Sequence, residues 1–183
     1  MRRILSCIAL FCIVGFGACS DKAAENKPSE KAAVAPPAFV PMFPGVSVEE
    51  RVKNNVLRYN QLLIFGYENL NMNFLQEVAT KEQAEKAYFH MAAIGEGGVR
   101  MRARLNAIEW EKIDQTKKDV VTVKTIEHWD FAYHDLKSDK KTEEHKDFVY
   151  RMTYTMTPDK AGKWLISNIK AISDDASGKA KKP

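Results

Sequence analysis

The chain has 183 residues, of which 45% are hydrophobic and 28% charged, a length that suits a single domain of about 100–150 residues with flanking segments. Its net charge is +4, and part of that excess sits at the ends, in Arg2 and Arg3 and in the closing "GKAKKP". Nucleic acid needs strongly clustered Lys and Arg, so nucleic-acid binding is excluded.

All three cysteines, Cys7, Cys12 and Cys19, fall in the opening "MRRILSCIALFCIVGFGACS". A basic start, an apolar run from Ile4 to Phe16 and small residues before Cys19 make the layout of a secretory signal. The apolar run is shorter than the ~20 residues that span a membrane. "FGAC" resembles a bacterial lipobox, with Phe16 where leucine is usual. That resemblance implies cleavage after Ala18, diacylglycerol on the Cys19 sulfur and attachment to a membrane on the periplasmic side of a cell envelope. Ser20 in second position, rather than Asp, leans towards the outer membrane. No cysteine remains beyond Cys19, so disulfide and thiol chemistry are excluded from the folded region. The expected map is a signal peptide over 1–18, an acylated cysteine and flexible tether over 19–46, a domain over 47–173 and a loose tail over 174–183.

The stretch "SDKAAENKPSEKAAVAPPAFVPMFPG" is rich in Ala, Pro, Lys and Glu without apolar periodicity, the composition of a tether. Its end, "FVPMFPG", is apolar enough to dock on the domain. Val48, Val52, Val56, Tyr59, Leu63, Tyr67 and Leu70 then recur every three or four residues, as on an amphipathic helix. Ser47 with Glu50 reads as a capping box, and Gly66 is expected to break the helix. Thr80 with Gln83 reads as a second box, opening a helix through "KEQAEKAYFHMAAI" that stops at "GEGG", where glycine supplies a left-handed cap.

From Val99 the period changes to two. Four runs, about 99–113, 119–136, 144–157 and 162–172, are separated by "DQTKKD", "KSDKKT" and "TPDKAGK". Such short links require an antiparallel meander, because parallel neighbours need a long crossover. Helices followed by a four-stranded sheet is an α+β layout.

On these elements the chain resembles the NTF2-like (SnoaL-like, cystatin-like cone) superfamily over about Val48 to Ile172. The resemblance rests on helix order, on "LRYNQLLIFGYENLNMNFLQEVAT" and on the ending "FVYRMTYTMTPDKAGKWLISNIKAI". Within the superfamily it looks most like the intermembrane-space domain of plastid and cyanobacterial division proteins, and like small bacterial lipoproteins. It implies N-terminal helices packed in the concave face of a curved antiparallel meander, a pocket between sheet and helices, and dimerisation through the outer sheet face, which Ile126 and Val149 would support. The expected lining is Tyr59, Tyr67 and Tyr88 from the helices and Glu127, Trp129, Phe131, Tyr150, Met152 and Tyr154 from the sheet. His90 is a candidate to join from its helix.

The densest run of polar and aromatic residues, "IEHWDFAYHDL", reads as one strand. Alternation puts Val121, Val123, Thr125, Glu127, Trp129, Phe131 and Tyr133 on one face. It puts His128, Asp130 and His134 on the other, joined from the next strand by His145, Asp147, Val149 and Arg151. Aromatic rows are worth burying at ~2 kcal/mol per side chain, so they should meet the helices while the imidazoles face solvent. Asp130 is expected opposite Val149 or Arg151 and near Arg102. The row Arg100, Arg102 and Arg104 then forms cross-strand ion pairs with Asp130 and Asp147, or receives an anionic head group. His128 and His134, six residues apart, lie about 20 Å apart along a strand and cannot share an ion, so no metal is expected. Nor is a cofactor. Glu127 beside Trp129 is the one candidate general base, because an apolar surround raises a carboxyl pKa. It reads more simply as a paired or rim carboxylate. The leading expectation is a non-catalytic, lipid-anchored binding or protein-interaction module, for a protein partner or a small apolar ligand; the rival is a small isomerase- or hydrolase-like pocket enzyme.

Overall fold

A computed structural model describes residues 34–174, without the side chains of 116, 173 and 174. The signal segment, Cys19, the first part of the tether and the tail beyond 174 lie outside the described residues.

Helix α1 spans Val48–Asn69. Both halves of its capping box form: the Ser47 hydroxyl accepts from the Glu50 N–H at 3.1 Å, and the Glu50 carboxylate accepts from the Ser47 N–H at 3.1 Å. Val52, Val56 and Tyr59 lie on the buried stripe. The expected break at Gly66 does not occur; the helix continues one turn further and ends on Leu70, in the left-handed region at φ 51°. Gly66 serves a close approach instead. A Cβ there would stand 2.3 Å from Met72 Sδ, where the chain doubles back over its own helix. A short 3-10 turn, Asn73–Glu77, leads to α2, Lys81–Glu96. At its start only half of the expected box is made. Thr80 Oγ1 accepts from the Gln83 N–H at 3.4 Å, but the Thr80 N–H donates to Ile166 O at 2.9 Å. The Gln83 side chain is thereby released from capping. Gly98, at φ 77°, takes the left-handed turn out of the helix.

Strands β1 (Val99–Lys117), β2 (Val120–Asp135), β3 (Lys141–Pro158) and β4 (Trp164–Asp174) form one antiparallel meander in the order β1-β2-β3-β4. Both helices touch both edge strands, β1 and β4, because the sheet curves around them. The fold is therefore the α+β arrangement expected, with two helices in the concave face. The core between the layers is built on Leu62, Leu75, Val121, Val123, Met156 and Ile166, each no more than 1% exposed. Among the described residues no helix is long and apolar enough to cross a membrane.

The end of the expected tether is packed rather than free. The Phe43 N–H donates to Asn54 Oδ1 at 3.1 Å, Asn54 Nδ2 donates back to Phe43 O at 2.9 Å, and the Phe43 ring meets Trp110 edge-on at 6.1 Å.

Bulges set the faces of the long strands, since one extra residue reverses the phase of everything beyond it. In β1 the pairing shifts after Leu105 and after Trp110, which lets Met101, Ile108, Trp110 and Ile113 all pack on the core despite their uneven spacing. In β2 the expected sidedness holds from Val121 to Tyr133, with Glu127 and Thr125 fully buried. In β3 it fails at one point. Asp147 adopts φ 53° in a bulge between the pairs Trp129–Phe148 and Phe131–His145. His145 thus turns onto the aromatic face, stacked on Phe131 at 4.8 Å, and not outward as strict alternation requires.

The strand registers correct the expected ion pairs. Val149 faces His128 and Arg151 faces Ile126. Asp130 instead pairs with Arg104 at 2.6 Å and accepts the Asp147 N–H at 3.0 Å. Arg100 and Arg102 both reach Asp139 in the β2–β3 turn, at 2.6 and 3.2 Å, and Arg102 also reaches Glu68. No three metal-ligating side chains gather among the described residues. The Asp147 N–H first, and then the Arg104 guanidinium, hold the Asp130 carboxyl down at about 2. A depressed carboxylate contributes stability that is present above its ordinary pKa and lost as pH falls through the folded value. Asp130→Ala is therefore expected to lower the melting temperature at neutral pH, with the gap to wild type closing as pH falls from about 4 towards about 2. Thermal melts along a pH series measure it.

Candidate functional site

A cavity of about 430 Å³ opens between the helices and the concave sheet face. Of the residues expected there, it is lined by Tyr59 and Tyr67 from α1, Glu127, Trp129 and Phe131 from β2, and Tyr150 and Met152 from β3. Two depart from expectation. Tyr154 is fully buried behind the wall, where its hydroxyl meets Glu127. Tyr88 is outside altogether, 49% exposed and edge-on to Phe89 at 5.9 Å. The buried stripe of α2 is Gln83, Ala84, Ala87 and Met91, and Tyr88 is about 100° round the helix from Ala87.

Glu127 forms the floor of the cavity at 0% exposure. Its Oε1 accepts from Tyr154 OH at 2.7 Å, Thr125 Oγ1 at 3.0 Å and Asn60 Nδ2 at 3.3 Å. Its Oε2 accepts from the Trp129 indole N–H at 3.1 Å. Thr125 and Trp129 flank it on the same face of β2, and Tyr154 comes from the adjoining strand. Asn60 comes from α1, four residues after the buried Val56. Burial, and then the negative charge of Glu127, push the Tyr154 phenol well above its ordinary range. Burial likewise pushes Tyr59 up to about 12 against an opposing hydrogen bond from Gln83. Both phenols therefore keep their protons, and Tyr154 remains a donor to the carboxylate at any physiological pH.

The rim is polar where the floor is closed. His90 Nδ1 bonds to the Tyr67 hydroxyl, and the two rings meet edge-on at 5.6 Å. Burial raises the Tyr67 phenol above its ordinary value, so it too keeps its proton. Lys86 and Gln83, one and two turns before His90 on α2, also line the space. Sequence reasoning assigned neither to the pocket. Gln83 was indistinguishable from a capping residue, and Lys86 from solvated surface. The signal available for Asn60 was its place on the apolar stripe; a polar residue there needs a buried partner.

The geometry offers an apolar chamber with a fixed, fully solvated-by-protein carboxylate beneath it. Among the described residues that line it there is no serine, threonine or cysteine, and the hydroxyls that line it are the phenols of Tyr59, Tyr67, Tyr133 and Tyr150. Three of the four donors sit on Oε1 and one on Oε2, tying the side chain to α1, β2 and β3.

No protein-family model matches the sequence, and comparison with curated proteins finds no match. Solved structures do match. The crystal structure of the intermembrane space region of the chloroplast protein ARC6 superposes with a TM-score of 0.57 at 13% identity, covering 75% of this chain and 99% of that one. A periplasmic fragment of TraM matches at 0.46 and 13%, covering 65% and 96%. A ketosteroid isomerase-like protein from Erwinia carotovora atroseptica matches at 0.45 and 11%, covering 69% and 98%. At such identities the likeness is one of fold, and only the first superposition is close enough to carry weight. The chain is an α+β domain folded like the ARC6 intermembrane space region, with two helices held in the hollow of a four-stranded antiparallel sheet.

Proposed function

We propose that this chain is a lipid-anchored periplasmic module that binds a partner or ligand and performs no chemistry on it. The anchor is Cys19 of the lipobox-like "FGAC", and Ser20 favours the outer membrane. The observation that carries the non-catalytic reading is the Glu127 carboxylate, with four donors on its two oxygens and no exposed surface. A general base must reach the proton it abstracts, and here the side chain is fully buried and fixed by donors from α1, β2 and β3. The apolar chamber above it and the NTF2-like fold suit recognition. A homodimer through the outer sheet face belongs to the same reading, around Ile126 and Val149.

The rival, a small pocket enzyme using Glu127 as base, draws on the same residue lying on the chamber floor. One experiment separates them. Crosslinking and pull-down of the acylated protein from its own envelope is expected to capture the same stoichiometric partner or the same unaltered small molecule from wild type and from Glu127→Gln. Accumulation of a bound molecule only in the folded Glu127→Gln protein, with its chemically altered form bound to wild type, would instead establish the enzyme.

A further inference from the structure

The rim of the chamber has three unused capacities on one helix. Gln83 is 5% exposed, lines the chamber, and its Oε1 has no hydrogen-bond partner. A buried acceptor left alone costs free energy, and it stands free because the Thr80 N–H it would have capped is taken by Ile166 O. Lys86 bonds only Asn168 Oδ1, at 3.4 Å, and no carboxylate of the described residues lies within salt-bridge distance of it. His90 Nδ1 bonds the Tyr67 hydroxyl, and with Nδ1 as the acceptor Nε2 carries the ring hydrogen and is a donor at the rim. Inward of these, Trp129, Phe131 and Tyr150 present ring surface and Met152 a thioether. Flat apolar bodies stack on such rings.

We infer that the chamber takes an amphipathic organic anion: a planar apolar body against Trp129, Phe131 and Tyr150, a hydrogen-bond donor for the Gln83 carbonyl, and an anionic group at the rim between Lys86 and His90. The orientation follows from charge. Glu127 fills the floor with a negative charge already supplied with donors, so an anion is repelled from the deep end and attracted to the only cation of the lining. The Gln83 amide reaches an entering donor by turning about its last torsion, which is soft. The volume, about 430 Å³, lies within the ~300–1,000 Å³ of small-molecule pockets. This rests on the reading of the chain as a binding module and adds the chemistry of what it binds.

The probe that carries all three features is 1-anilinonaphthalene-8-sulfonate, with two aromatic units, an amine N–H and a sulfonate. Its neutral counterpart, N-phenyl-1-naphthylamine, lacks only the sulfonate. Titration of the folded chain, followed by fluorescence and by isothermal calorimetry, is expected to show one saturable site for each. Lys86→Gln, an exposed change that leaves the fold intact, should weaken the sulfonate about fivefold and the neutral amine not at all. Gln83→Leu should weaken both, by about tenfold. Circular dichroism melts establish that each variant is folded. The inference is overturned if the folded chain shows no saturable binding, or if Lys86→Gln changes the two probes equally or changes neither. Either failure concerns the chamber alone; partner capture from the envelope still decides the wider reading.

Discussion

Glu127→Ala is expected to destabilise the domain by about 3–4 kcal/mol, since it strands several buried donors at roughly 1–3 kcal/mol each and leaves a void, offset by some relaxation of the side chains. The donors are named: Asn60, Thr125, Trp129 and Tyr154. Three come from the sheet and one from α1, so the loss unties the helix from the concave face as well. Glu127→Gln should cost less, about 1–2 kcal/mol, because the amide keeps one acceptor and the shape while turning an NH2 towards a donor. Urea unfolding with the m-value unchanged between variants is the appropriate measurement. A loss below ~0.5 kcal/mol for the alanine variant, the range of ordinary surface changes, would mean the carboxylate is not a structural keystone.

Arg58→Met is the second large effect. Arg58 is 7% exposed and gathers three segments about one guanidinium. Nε and Nη2 donate to the two Glu77 oxygens at 3.0 and 2.7 Å, and Nη1 donates to Pro37 O and Gln61 Oε1, both at 2.8 Å. Its Cζ also lies 5.8 Å from the Phe39 ring centre. Methionine preserves the packed stem and removes every donor. Glu77 is 44% exposed, so water takes back part of the ion pair, and the expected loss is about 1.5–2.5 kcal/mol. The loss should also be local. Amide exchange over residues 34–46 is expected to accelerate well beyond the global change, because Pro37 and Phe39 lose their hold on α1. Arg58→Lys should restore little, having no fork to grip Glu77 and Pro37 together. Uniform acceleration across the domain would place the strap outside Arg58's influence.

How far the residues foretold this arrangement depended on whether local pattern and tertiary contact agreed. The switch from a period of three or four to a period of two at Val99 was legible, and with it the element order and the meander, because short turns leave no other topology. The face of β2 was legible for the same reason; seven alternating positions from Val121 to Tyr133 leave one way to bury Trp129. What escaped notice was decided by single residues with no distinctive neighbours. Asp147 takes a left-handed conformation without a glycine to announce it, and that one bulge reverses His145; the bulges of β1 set the register that places Arg104, not Arg102, opposite Asp130. Gly66 looks like a helix breaker, yet it exists for Met72, whose return path is a tertiary fact. Gln83 satisfies the capping pattern perfectly in sequence, and only the bridge from Ala79 to Ile166 shows why its side chain is free to enter the chamber. Tyr88 was misplaced because a three-and-four spacing tolerates two stripes on a short helix, and the small residues Ala84 and Ala87 hold the buried one.

The most direct test of the locked carboxylate is hydrogen exchange at the Trp129 indole N–H, observed by nitrogen-15 NMR and assigned by its displacement in Glu127→Gln. The indole should exchange only through opening of the helix layer, far more slowly than a free ring. An indole that trades its proton within seconds would mean Glu127 is accessible and available as a base, and the non-catalytic account would fail.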